Sequence, residues 1–100
     1  MTRRIRVSKR AADQIRKAAE WWRANRAARS LFDAEIARGF DLTADQPGIG
    51  TKVIDPGDIP GLRRLQLPRI RYSIYYRPID TDAIEVVAVW HGSRGTLPEL

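Results

Sequence analysis

Between residues 46 and 61 the chain reads QPGIGTKVIDPGDIPG, a stretch that holds three of its six prolines and four of its seven glycines. No helix can cross it, because proline lacks an amide donor and pushes the preceding residue out of the helical region. It reads instead as a long, turn-rich connection. Before this stretch apolar residues recur with a helical period, and after it with a strand period. Helices gathered in one half and strands in the other place the chain in the α+β class.

In RRIRV, residues 3–7, Ile5 and Val7 alternate with Arg4 and Arg6, which predicts a short half-buried strand. Ser8 is an N-cap candidate. Ala11, Ile15, Ala18, Ala19 and Trp22 then recur at three- and four-residue spacing, predicting a helix from Lys9 to Arg23. A second helical pattern, Ala28, Phe32, Ile36, Gly39 and Phe40, follows the polar break at Asn25 and ends before Pro47. Leu31 and Leu42 fall roughly opposite that stripe, so the second helix is expected to carry a surplus apolar face in need of a partner. Beyond residue 61 come three strand candidates, LRRLQL (62–67), IRYSIYYR (70–77) and IEVVAVWH (84–91), whose short connectors favour an antiparallel meander. The expected order is β-α-α-β-β-β: a helical hairpin packed on one face of an antiparallel sheet. The 100 residues suffice for one core, so 1–100 is read as a single domain.

The net charge is +6, and 15 of the 18 basic residues are arginine, whose rigid fork pairs with phosphate and carboxylate. The expected partner is anionic: a nucleic acid, a nucleoprotein machine or an acidic protein. There is no cysteine and only one histidine, so neither a disulfide framework nor a metal centre is expected, and no cofactor. The longest apolar run, Val86 to Trp90, is far too short to span a bilayer, and Thr2-Arg3-Arg4 does not open a signal core. A cytoplasmic protein without membrane association is expected. Phosphate-cradling glycine motifs and a nucleophile elbow are absent.

The strongest local bias lies between Asp58 and Asp80, where no acid occurs while Arg63, Arg64, Arg69, Arg71 and Arg77 interleave with Tyr72, Tyr75 and Tyr76. Alternation places Ile70, Tyr72, Ile74 and Tyr76 on one face of the middle strand and Arg71, Ser73, Tyr75 and Arg77 on the other. The second face is expected to be an open surface that holds phosphates and stacks unpaired bases, unless its arginines merely solubilise it. At the end of the last strand, alternation groups His91 with Val87 and Val89, opposite Val86, Ala88 and Trp90. His91 is either a general acid or base near neutral pH or a hydrogen-bonded corner. Trp22 belongs to the core stripe of the first helix, whereas Trp21, about a third of a turn away, caps the hairpin or meets a partner.

Through RVSKRAADQIRKAAEWW, LTADQPGIG, GLRRLQLPRIRYSIYYR and IEVVAVWHGSR, the chain resembles the RelE/ParE family of type II toxins over almost its full length. The resemblance implies a growth-arresting toxin neutralised by a cognate antitoxin of ParD or RelB type, with Trp21, Leu31 and Leu42 as the expected antitoxin contacts. RelE-like members cleave messenger RNA on the ribosome; ParE-like members inhibit DNA gyrase and need no general acid or base. Under the nuclease alternative the catalytic set would be Arg64, Arg71 and His91. The residues expected to face the target are Arg63, Arg64, Arg69, Arg71, Tyr75, Arg77 and Arg94. Because His91-Gly92-Ser93-Arg94 stands in place of a terminal His-Tyr pair, and no tyrosine follows Tyr76, the ParE-like branch is expected. A nucleic-acid-binding module without toxicity is the remaining alternative, since a fold does not fix a function.

Overall fold

The computed structural model describes residues 2–54 and 59–91. Its elements are β1 (Arg4–Val7), α1 (Lys9–Asn25), α2 (Leu31–Asp45), β2 (Thr51–Lys52), β3 (Arg63–Leu67), β4 (Tyr72–Pro78) and β5 (Ala83–His91). The five strands form one sheet in the order β1-β5-β4-β3-β2, and the two helices pack on it.

The sheet is mixed, which corrects the expected antiparallel one. β3, β4 and β5 form the meander, but β1 lies parallel to β5, with Ile5 opposite Ile84 and Val7 opposite Val86. A parallel pair needs a long crossover, and here the whole intervening chain supplies it. Arg4 N–H donates to Asp82 O (2.8 Å) and Ser8 N–H to Val86 O (3.0 Å), fastening the first strand to the last. A further short strand, β2, arises inside the connection that reads as pure turn and pairs with β3.

Ser8 closes β1 and opens α1. Its backbone is extended, and its Oγ accepts from Ala11 N–H (3.1 Å) while donating to Val87 O (3.2 Å). The helix then buries Ala11, Ala19 and Trp22, as its periodicity requires. α2 begins at Leu31 and not at Ala28, because Ala28 O is already taken by the Trp22 indole N–H (2.8 Å) and by Leu31 N–H (3.2 Å) in the turn between the helices. α2 lies close on the sheet at Gly39, where an added Cβ would stand 2.5 Å from Ile74 Cδ1.

The main core joins Ala11, Trp22, Phe32, Ile36, Leu67, Ile74, Tyr76, Ile84, Val86 and Val89 between helices and sheet. Val86 sits there, contrary to simple alternation, because the register slips: Tyr75 faces Ala88 but Tyr76 faces Val86, leaving Val87 as a bulge. Two side chains of the N-terminal segment take backbone groups at this bulge. Ser8 donates to Val87 O, and Gln14 Oε1 accepts from Val89 N–H (2.8 Å).

The opposite face of the sheet is not the open surface expected of it. Leu62, Tyr75 and Ala88 form a second buried cluster, flanked by Val53, Ile59, Val87 and Trp90. Val53 and Ile59, on either side of residues 55–58, pack over this face, since leaving them in water would forfeit their burial, whereas Ile54 stays exposed. Among the described residues no helix is long and apolar enough to cross a membrane, and no three metal-ligating side chains cluster.

Candidate functional site: a cationic, aromatic groove

A groove of about 920 Å³ opens between the C-terminal half of α1 and the end of the sheet. α1 contributes Gln14, Lys17, Trp21 and Trp22, and the turn after it contributes Arg26. The β3–β4 turn contributes Arg69 and Arg71, and the paired ends of β4 and β5 contribute Tyr72, Trp90 and His91. Four of the lining residues are cationic, Lys17, Arg26, Arg69 and Arg71, and none is acidic.

Each of the three arginines is placed by a different local device. Arg26 caps α1 with its N–H on Trp22 O (2.9 Å), and its guanidinium stands 5.3 Å from the Trp21 ring centroid and 5.5 Å from that of Trp22. Trp21 itself stays 49% exposed, the largest side chain the protein leaves so open among its described residues. Arg69 lies 3.8 Å from Glu35, a carboxylate only 3% exposed in the middle of α2. Arg38 grips the same carboxylate through Nε (3.1 Å) and Nη2 (3.0 Å). That hydrogen bonding holds the Glu35 carboxyl below its ordinary pKa against the opposing effect of burial, aided by the charges of Arg38 and then Arg69. Arg71 takes φ = +61°, the left-handed region that side chains other than glycine, asparagine and aspartate seldom enter. The sequence places Arg71 within a strand; the structure puts it in the turn, with its N–H on Leu67 O (2.9 Å) and its side chain exposed.

The aromatic side chains run in sequence across the fold. The rings of Trp22 and Phe32 lie 6.0 Å apart, Phe32 and Tyr72 meet edge-to-face at 5.1 Å, and Tyr72 and His91 meet edge-to-face at 5.2 Å. His91 thus ends both β5 and a chain of packed rings that begins in α1.

Of the residues expected at a site, Trp21, Arg69, Arg71 and His91 come together in this groove. Arg63, Arg64, Tyr75 and Arg77 do not. Arg63 Nη1 donates to Gly50 O (2.7 Å), and Arg77 pairs with Glu85 across the sheet (2.9 Å). Tyr75 is 4% exposed within the second cluster, so its ring offers no stacking surface. Arg64 faces Tyr75 across the strands and keeps a buried Nε without a hydrogen-bond partner among the described residues. Leu31 and Leu42 are half-buried, and Leu31 packs against the main core, so the surplus apolar face expected of α2 is only partly exposed. Arg94 lies outside the described residues. Lys17 and Arg26 were not anticipated as site residues; the signal for Lys17 was its four-residue spacing from Trp21, which puts both on one face of α1.

A family model described as the ParE toxin of type II toxin-antitoxin systems, parDE, matches residues 5–95. The chain belongs to the ParE toxin family. No curated protein matches it. A solved structure of a chromosomal ParDE TA system from P. aeruginosa is similar, with a TM-score of 0.66 over 90% of this chain and 96% of that one. At 16% identity the likeness establishes a shared fold. In this ParE family toxin, then, two helices on a five-stranded mixed sheet carry a basic, ring-lined groove at the end where the last two long strands meet the first helix.

Proposed function

We propose that this toxin arrests growth by binding and inhibiting DNA gyrase, and that a cognate antitoxin of ParD type neutralises it. The family match and the ParDE system to which the fold is similar support a toxin with an antitoxin partner. Trp21, Leu31 and Leu42 of the helical layer are the proposed antitoxin contacts; of the three, Trp21 is the exposed one, and the two leucines are half-buried.

One observation favours inhibition over RNA cleavage: of the three residues a nuclease would use, Arg64 stands apart from Arg71 and His91. His91 pairs with Tyr72 on the helix-covered face, whereas Arg64 pairs with Tyr75, whose side chain belongs to the opposite face. Three residue steps along β4 add roughly 10 Å to that separation. A general base, a general acid and a phosphate-binding cation must all reach one phosphodiester within hydrogen-bonding distance. A second reading draws on a specific feature, the placement of Tyr72 and His91 in the same groove as Arg71, which would offer two proton-transfer groups beside a cation.

Purified toxin is expected to inhibit gyrase supercoiling in vitro, with His91→Gln weakening that inhibition by less than about tenfold, or roughly 1.4 kcal/mol. Loss of a catalytic acid or base would instead cost about a hundredfold to ten-thousandfold. Cleavage of messenger RNA on translating ribosomes, abolished by His91→Gln, would overturn gyrase inhibition in favour of the second reading.

A further inference from the structure

From the groove's chemistry we propose that it is a nucleotide-binding site, taking phosphate between its two cationic rims and a base against the exposed indole of Trp21. One rim is Lys17 and Arg26, and the other is Arg69 and Arg71. The shared chemistry is a phosphate joined to a base, presented either by a free nucleoside triphosphate or by a single-stranded nucleic acid. This inference stands apart from gyrase inhibition and is tested by binding alone.

Three features point to that ligand. First, three of the four cations are arginines, which hold phosphate oxygens bidentately, and no lining acid neutralises them. Arg69 shares Glu35, but that carboxylate is already gripped by two hydrogen bonds from Arg38 and is itself buried outside the groove. Second, Arg71 occupies a left-handed position where glycine would sit without strain. The turn geometry alone favours glycine, so the presence of a cation there is explained by what its side chain holds. Third, the ring of Trp21 lies on one groove wall, 49% exposed, with the Arg26 guanidinium over one of its faces. Indoles next to cations in a basic groove are the surfaces on which unpaired bases stack.

An acidic protein segment is the competing occupant. A docking helix would want exposed aliphatic surface for its apolar face. The large aliphatic side chains that are most exposed among the described residues, Val7, Ile49 and Ile54, line no part of the groove. Apart from the small Ala18, Ala27 and Ala28, what the groove exposes is ring and positive charge, which favours the nucleotide.

The test is fluorescence anisotropy of a labelled oligo-dT strand on the free toxin, repeated with Arg71→Gly and Trp21→Ala. Arg71→Gly removes the charge while supplying the residue that the backbone prefers, and it should melt no earlier than the parent. Each variant is expected to lower affinity by about tenfold, since stacking and a phosphate contact each contribute on that scale. Arg71→Gly should also reduce the slope of log affinity against log salt by about 0.7, the value for one phosphate of a single strand. Unlabelled ATP that competes identifies a site open to free nucleotides. Oligo-dT binding that ATP does not displace identifies one that requires a chain. No binding of either probe, or oligo-dT affinity that both variants leave unchanged, would overturn the proposal. So would displacement by poly-glutamate as effective as by unlabelled oligo-dT, with Trp21→Ala silent; that result would assign the groove to an acidic protein segment.

Discussion

Tyr76→Phe removes one oxygen atom from the centre of the fold, and the structure sets what that should cost. The Tyr76 side chain is fully buried, and its hydroxyl accepts from Gly50 N–H (2.9 Å) and donates to Pro47 O (2.7 Å). Burial raises the pKa of the phenol, opposed by the Gly50 hydrogen bond and the charge of Arg63, so the donor proton is retained across the physiological range. These two bonds fasten the 46–50 turn, and through it β2, to the middle of the sheet. A typical net contribution is about 0.5–1.5 kcal/mol per hydrogen bond, with an orphaned buried donor costing about 1–3 kcal/mol. Gly50 is buried, so its amide is orphaned outright, whereas Pro47 is half-buried and its carbonyl can recover water. The expected destabilisation is therefore about 2 kcal/mol, most of it from the Gly50 amide. In a chain of this size that is a fall in Tm of roughly 10 °C. Urea unfolding monitored by tryptophan fluorescence should show a lower midpoint with an unchanged slope, because the surface exposed on unfolding does not change. A loss below about 0.5 kcal/mol, under the range for even one such bond, would refute the reasoning and mean that the turn is held by other contacts, such as Arg63 on Gly50 O.

Acid should weaken the fold through Glu35. Its folded pKa lies below the ordinary value, so its contribution is complete above the unfolded pKa and is lost as pH falls through the folded one, the unfolded chain taking up the proton first. Unfolding free energy measured from about pH 6 down to about pH 3 should fall less steeply in Glu35→Gln than in the parent; identical acid limbs would show that the carboxylate is not linked to folding. Ser8→Ala deletes both the cap of α1 and the bond to Val87 O, and should cost about 1–2 kcal/mol in the same urea assay, with a value near zero excluding the cap as a contributor.

The element order was readable because each element carries its own period. α1 announces itself through Ser8 and the Ala11-to-Trp22 stripe, β4 and β5 through their β-branched and aromatic runs, and β3 through its alternating Leu65 and Leu67. The parallel placement of β1 was not readable, since Ile5 and Val7 alternate identically whichever way the strand pairs. The bulge at Val87 escaped for a related reason. Val86 and Val87 are chemically identical, and only the groups that wait for the bulge, Ser8 and Gln14, lie far away in sequence. Alternation across IRYSIYYR failed at its first two residues because a chain reversal, and not a strand, carries Ile70 and Arg71.

The acid-free window 59–79 pointed to the right segment for the groove but to the wrong face of the sheet, and the reason is physical. Inside a ladder a side chain must take one of two faces. Here one face is covered by helices and the other by Val53, Ile59 and Leu62, so Tyr75 is buried and Arg63 and Arg77 find partners close at hand. Arginines at element ends are under no such constraint. Arg69 and Arg71 lie in the β3–β4 turn and Arg26 just past α1, so their heads extend beyond the packed layers. α1 also turns its C-terminal carbonyls toward this end of the molecule, where a cation is electrostatically favoured. Helix polarity, turn geometry and the exhausted faces of the sheet thus drive positive charge to the one place where Trp21 is also left in solvent, which is why the groove gathers residues that alternation had assigned to separate surfaces.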